Sequence, residues 1–222
     1  MTHTTTTRGG ETGGLPLLES GVIAVVRAPE AVRLRAVARA LAAGGVGAVE
    51  ITLTTPGAIA TIADLAGDEG LAGCLVGAGT VLDEVAARAV IDAGARFVVS
   101  PTLDHAVIRV CRERDVPCMP GAFTPTEILD AWRAGASLVK VFPAAAVGPG
   151  FIRDVLAPLP FLRLVPSGGV TLENAGDWIR AGAAAVSVGG ALLRAALLGH
   201  ESPAELTARA RLLVTQVRAA RA

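Results

Sequence analysis

One lysine, Lys140, stands among nineteen arginines in this 222-residue chain. Arginine serves most structural tasks of a cation, but its guanidinium stays protonated and cannot act as an amine nucleophile. Lys140 lies in Leu138-Val139-Lys140-Val141-Phe142-Pro143, a short apolar, β-branched run of strand type. Side chains alternate along a strand. Val139 and Val141 suit the face covered by helices, so Leu138, Lys140 and Phe142 point to the opposite face. Burial there lowers an amine's pKa, and a neutral amine can attack a carbonyl carbon to form an imine. The alternative is a buried structural ion pair.

The second group is Glu50, in Ala48-Val49-Glu50-Ile51-Thr52-Leu53. The same alternation sends Ala48, Glu50 and Thr52 to the face opposite Val49, Ile51 and Leu53. Glu50 is the only acid well inside an expected strand. A carboxylate beside an amine can move protons, or can simply neutralise it. Further candidates stand where expected strands end. Arg27 is suited to a carboxylate, because its fork holds both oxygens; a rim ion pair is the competing reading. Gly77-Ala78-Gly79-Thr80 and Ser100-Pro101 end two more strands. Ser167-Gly168-Gly169 and Gly189-Gly190 end the last two, each before a helix. Glycines there let backbone approach an anion, and helix N-terminal N–H groups favour one; a lone Gly-Gly is otherwise only a turn.

The elements that must position these groups alternate along the chain. Strands are expected at Ile23–Arg27, Ala48–Leu53, Leu75–Thr80, Phe97–Pro101, Cys118–Ala122, Leu138–Pro143, Arg163–Gly168 and Ala185–Gly190. Helices are expected between them, at Glu30–Ala43, Pro56–Ala66, Asp83–Ala93, Asp104–Arg114, Thr124–Ala134, Pro149–Ala157, Thr171–Ala181 and Pro203–Ala220. "DAGARFVVS", "RAGASLVKVF" and "RAGAAAVSVGG" repeat one unit: helix end, glycine stop, buried strand. Eight such units predict a single-domain (β/α)₈ barrel, an α/β fold with its active site at the carboxyl ends of the strands. An open doubly wound sheet is the other arrangement, but it usually carries a Gly-rich first turn, and this chain reads Arg27-Ala28-Pro29 there. In a barrel, alternate strands fill the same layers, so Glu50 on strand two and Lys140 on strand six can converge near the axis.

Composition narrows the function classes. Acidic and basic residues balance at twenty each, which leaves no basic footprint for nucleic acid. No apolar run approaches the roughly 18 residues of a membrane span. Cys74, Cys111 and Cys118 form no C-x-x-C pair and read as small apolar side chains in a reducing cytosol. His3, His105 and His200 are scattered, so no metal site is expected. Residues 1–14 are rich in Thr and Gly, read as a disordered tail without a secretory leader, and are set apart from a barrel domain over residues 15–222.

At these residues the sequence resembles the KDPG/KHG aldolases, which act on 2-keto-3-deoxy-6-phosphogluconate and 4-hydroxy-2-oxoglutarate. The matching segments are "AVVRAP", "GGVGAVEITLTTP", "VGAGTVL", "FVVSP", "PGAFTPTE", "LVKVFPA", "VPSGGV" and "VSVGGALL", in order from about Gly21 to Leu193. The resemblance implies a class I aldolase that needs no cofactor or metal, is cytoplasmic and assembles as a homotrimer. It implies Lys140 as the imine-forming lysine and Glu50 as the acid/base. Thr80, Pro101 and Phe142 would line the pyruvate pocket, and Ser167, Gly168, Gly169, Gly189 and Gly190 the phosphate end. Many members carry an arginine where this chain reads Thr54; another subgroup carries it where Arg27 stands, which assigns the carboxylate to Arg27. Members often have a serine at the strand-eight glycines, where this chain has Ala191, so unphosphorylated substrates stay open. The leading substrate is 2-keto-3-deoxy-6-phosphogluconate, with its galactonate epimer and 4-hydroxy-2-oxoglutarate as alternatives. Two other classes are a barrel synthase or isomerase using Glu50 and Lys140 as an ordinary acid–base pair, and a non-catalytic sugar-phosphate binder.

Overall fold

The computed structural model describes residues 16–222; the expected tail over residues 1–14 lies outside them. Eight parallel strands form a closed ring: β1 (Val22–Val26), β2 (Ala48–Thr52), β3 (Leu75–Gly79), β4 (Val98–Val99), β5, β6 (Val139–Val141), β7 (Leu164–Pro166) and β8 (Val186–Val188). Strand β5 runs through Cys118–Met119 and Gly121–Ala122, split at Pro120, which has no N–H for the ladder. Its first half pairs with β4 and its second with β6. The other seam closes through a bridge between Ser167 and Ser187, and β8 pairs with β1. This is the expected (β/α)₈ barrel.

Two apolar layers follow from the strand alternation. Val49, Ile51, Val139 and Val141 face outward into the shell shared with the helices. Ile23, Ala48, Phe97, Val99, Met119, Leu138, Val165 and Ala185 fill the lower interior. Leu17, on the short helix α1 (Pro16–Glu19), packs with them and is 2% exposed. The lower half of the barrel is therefore solid, and polar groups have room only above it.

The surrounding helices are α2 (Leu34–Ala43), α3 (Ala58–Ala66), α4 (Glu84–Asp92), α5 (His105–Glu113), α6 (Pro125–Ala134), α7 (Pro149–Leu156), α8 (Ala175–Arg180), α9 (Gly190–Leu197) and α10 (Pro203–Arg221). Local signals start several of them. Asp83 and Asp104 accept from backbone N–H groups one turn on, while Thr124 with Glu127 and Ser202 with Glu205 form capping boxes. The glycine of the repeated unit has one job in all three copies: Gly94, Gly135 and Gly182 have φ of 100°, 103° and 103°. That left-handed turn ends the helix and suits glycine.

The structure corrects several expected boundaries. The strands end earlier than the apolar runs, because Thr80, Pro101, Pro143 and Gly168 belong to the mouth loops. The first large helix begins at Leu34, not Glu30; its N-cap residue, Arg33, makes no side-chain capping bond. The helix expected from Thr171 begins at Ala175. Thr171 N–H donates to Asn174 Oδ1 at 2.8 Å and Asn174 Nδ2 to Gly169 O at 2.9 Å, which holds that segment in a turn instead. Helices α1 and α9 were not expected at all. Among the described residues no helix is long and apolar enough to cross a membrane, and no group of three or more His, Cys, Asp or Glu gathers as metal ligands. His105 and His200 are exposed, Cys111 and Cys118 are buried and Cys74 is half-buried.

Truncating the plug at the barrel's closed end should weaken the fold without touching the open end. Leu17→Ala should lower unfolding stability by about 2–3 kcal/mol in urea titration, toward the low end for buried leucines because a short terminal helix can settle into the gap.

Candidate active site

The open end holds a cavity of about 840 Å³. All eleven residues singled out from the sequence line it: Arg27, Glu50, Thr80, Pro101, Lys140, Phe142, Ser167, Gly168, Gly169, Gly189 and Gly190. They come from seven of the eight strands or the loops that follow them, and β2 and β6 contribute the two buried charges.

Lys140 sits in the middle of β6, paired with Gly121 on one side and Val165 on the other. Its backbone N–H donates to Pro120 O at 2.9 Å, so the Cα is held by ladder bonds on a short, rigid strand. The side chain is 6% exposed, and Nζ lies 4.9 Å from the centre of the Phe142 ring. Burial pushes the amine pKa down, the charge of nearby Glu50 pushes it partly back, and Arg27 adds to the lowering. The result favours the neutral, nucleophilic form more than water does.

Glu50 is 1% exposed and sits between Val25 on β1 and Gly77 on β3. The small residues of β3 make its position possible. A Cβ on Gly79 would overlap Glu50 Oε1, and one on Gly77 would overlap the Phe97 ring below. Burial raises the Glu50 pKa, while the charges of Lys140 and Arg27 pull it down. Glu50 Oε2 has no hydrogen-bond partner among the described residues. The two groups thus act on each other through their fields, and the carboxyl keeps a free oxygen for a proton. That fits an acid/base better than a closed salt bridge.

Around this pair the loops take specific shapes. Thr80 has φ of 60°, a left-handed backbone that is costly for a β-branched residue and is typical of functional sites. Thr52 Oγ1 bonds Thr54 Oγ1 at 3.0 Å, and Thr55 Oγ1 accepts from Ala28 N–H at 3.1 Å. These contacts tie the loop carrying Arg27 to the end of β2. Gly168 and Gly169 have φ of 84° and 86°. Gly169 packs on Ala145, where any Cβ would meet the alanine methyl at 2.5 Å. Gly189 is the N-cap of α9, whose first N–H groups are free of helical partners by geometry. The two glycine pairs and the start of α9 therefore offer backbone donors on the β7–β8 side of the mouth, with Arg27 on the β1 side.

Sequence reasoning passed over Ser187 and Arg194, which also line the cavity. Ser187 is 2% exposed and its Oγ has no hydrogen-bond partner among the described residues. The alternation that singled out Glu50 and Lys140, applied to Ala185-Val186-Ser187, points it inward as well. Arg194 lies on α9, the helix that was not expected.

A closed parallel barrel with its polar groups gathered at the carboxyl ends of the strands, two of them buried charges, defines a barrel enzyme. The comparisons give the family. A model described as KDPG and KHG aldolase matches residues 16–208, and the chain belongs to that family. A probable 2-dehydro-3-deoxy-6-phosphogalactonate aldolase of Rhizobium meliloti is 39% identical over 181 residues, 81% of this chain and 85% of the relative. A 2-dehydro-3-deoxy-phosphogluconate aldolase of Pseudomonas aeruginosa is 36% identical over 162 residues, 72% and 73% of the two chains. Among solved structures, KDPG aldolase from Legionella pneumophila, with pyruvate captured at low pH as a covalent carbinolamine intermediate, superposes with a TM-score of 0.80 at 28% identity, covering 88% of this chain and 95% of that one. A native KDPGal structure gives 0.80 at 34% identity, covering 90% and 95%. The chain is accordingly an aldolase, a carbon–carbon lyase.

The single lysine permits a direct reading of the electrostatics. The pH dependence of reductive methylation at Lys140, followed by peptide mass, should show a midpoint below the ordinary lysine value of 10.5. Glu50→Gln removes an attractive charge and should move the midpoint further down. Arg27→Ala removes a like charge and should move it up. Midpoints moving in the opposite senses would contradict this arrangement of charges.

Proposed function

We propose that the enzyme cleaves 2-keto-3-deoxy-6-phosphogluconate reversibly to pyruvate and glyceraldehyde 3-phosphate through an imine at Lys140. The observation that carries the reading is the sole lysine of the chain, buried in the lining of the cavity together with the still more deeply buried carboxyl group of Glu50. The pyruvate captured covalently in the Legionella relative supports the same chemistry.

Neutral Lys140 Nζ attacks the C2 ketone to give a carbinolamine. Protonated Glu50 gives its proton to the carbinolamine hydroxyl, which departs as water and leaves an iminium. Glu50, now a carboxylate, takes the proton of the C4 hydroxyl. The C3–C4 bond breaks, its electrons pass into the iminium to give an enamine, and the C4 carbon leaves as the aldehyde. Glu50 then returns the proton to C3, which restores an iminium; water adds to it, Glu50 takes back the proton released, and collapse of the carbinolamine frees pyruvate and regenerates the neutral amine. Arg27 holds the C1 carboxylate through its fork. Thr80, Pro101 and Phe142 enclose the three carbons that become pyruvate. Ser167, Gly168, Gly169, Gly189 and Gly190 receive the phosphate, where backbone N–H groups favour an anion.

The galactonate epimer is a second reading, carried by the Rhizobium meliloti relative. The two substrates differ only in configuration at C4. We also propose a cytoplasmic homotrimer. The protein cage designed by fusing symmetric oligomeric domains, 34% identical to this chain, supports an oligomer.

Steady-state assays on both epimers, with pyruvate release coupled to lactate dehydrogenase, test the reading. The preferred epimer should be cleaved at full rate after exhaustive chelation. Glu50→Gln should stay folded and lose about 10²–10⁴-fold in kcat. Near-native turnover in that variant would remove Glu50 from the mechanism.

A further inference from the structure

We infer that Arg194 is the residue that makes this enzyme select a phosphorylated substrate. The inference rests on the aldolase reading above and adds to it a specificity group that lies outside the glycine pairs. Three cationic side chains line the cavity, Arg27, Lys140 and Arg194, against one acid, Glu50. Arg27 follows β1 and acts on the field at both Glu50 and Lys140. Arg194 stands on α9, after β8. A substrate with two anionic groups matches that balance of charge, with its carboxylate at Arg27 and its second anion at Arg194.

The second end is built on α9. Arg194 stands one turn beyond Gly190 and Ala191, and side chains of a helix lean back toward its N-terminus. Its guanidinium therefore has its reach over the first turn, where the free N–H groups of α9 and the loop at Gly168-Gly169 meet the cavity. Ala191 offers no hydroxyl there, and Arg194 carries the first polar side chain of α9. The neighbouring acid is already engaged. Arg209, from α10, pairs with Glu201 at 3.0 Å and donates to Ala191 O at 2.6 Å. That leaves Arg194 without an acidic partner among the described residues, in contrast to Arg39, Arg88, Arg109, Arg114 and Arg180 of the outer shell, which pair with carboxylates. A guanidinium without an acidic partner, on the helix that supplies those N–H donors, is suited to a dianion, which it can hold through two parallel bonds.

The test compares wild type with Arg194→Ala on 2-keto-3-deoxy-6-phosphogluconate and on its unphosphorylated counterpart, and measures binding of glycerol 3-phosphate by calorimetry. Arg194 is exposed, so the variant should fold normally. Loss of a charge-assisted contact corresponds to about 10–100-fold. kcat/KM for the phosphorylated substrate and affinity for glycerol 3-phosphate should both fall by that factor. The unphosphorylated substrate should change by less than about two-fold, the size of an incidental surface effect. Equal losses on both substrates, or no loss on either, would overturn the assignment. The calorimetric arm separates the two claims. Weakened glycerol 3-phosphate binding in a protein that cleaves neither substrate upholds Arg194 and defeats the aldolase reading. Normal cleavage with unchanged binding does the reverse.

Discussion

The structure turns on placing one amine and one carboxyl in the same buried space without letting them close into a salt bridge. Each alone pays heavily for desolvation: burial drives Lys140 toward its neutral form and Glu50 toward its protonated form. Each also partly restores the other's charge. A closed pair would lock both, because breaking it would strand a buried charge. Held apart, with Glu50 Oε2 unpartnered, they keep an amine able to attack and an oxygen able to take or return a proton.

That constraint reaches into strands carrying no chemistry of their own. Glu50 fits only because β3 offers Gly77 and Gly79 on its inner face, so a strand that reads as weak is weak for room. Lys140 keeps its place because the ladder bonds of β6 fix its backbone and a solid apolar layer under it blocks retreat. The plug includes Leu17, contributed by a four-residue helix ahead of the first strand. At the open end Thr80, Gly168 and Gly169 adopt left-handed backbone conformations that the loops supply and the strands do not.

Much of this was legible in the sequence because two periodicities carry it. Alternation in β2 and β6 separates Glu50 and Lys140 from their apolar neighbours, and the repeated Ala-Gly helix stop predicts the strand that follows. What escaped has local causes. Helix α9 was hidden by its own opening glycines, which read as a turn, although Leu192, Leu193 and Ala196 bury one face of it. With the helix went Arg194. The shortened α8 reflects a competition between helix and an Asn174 side-chain turn that propensity alone does not decide. Ser187 was within reach of the alternation, but a serine in a glycine-rich strand end carries no charge to single it out.

In the proposed mechanism Lys140 forms the covalent link to substrate. Incubation with pyruvate and borohydride, followed by peptide mass mapping, reads that link out. One reduced pyruvate per chain is expected, located at Lys140, and none on that peptide in Lys140→Arg, which keeps the charge but cannot form the imine. A folded, active Lys140→Arg enzyme, or wild-type protein that cleaves its substrate yet never retains pyruvate, would contradict it.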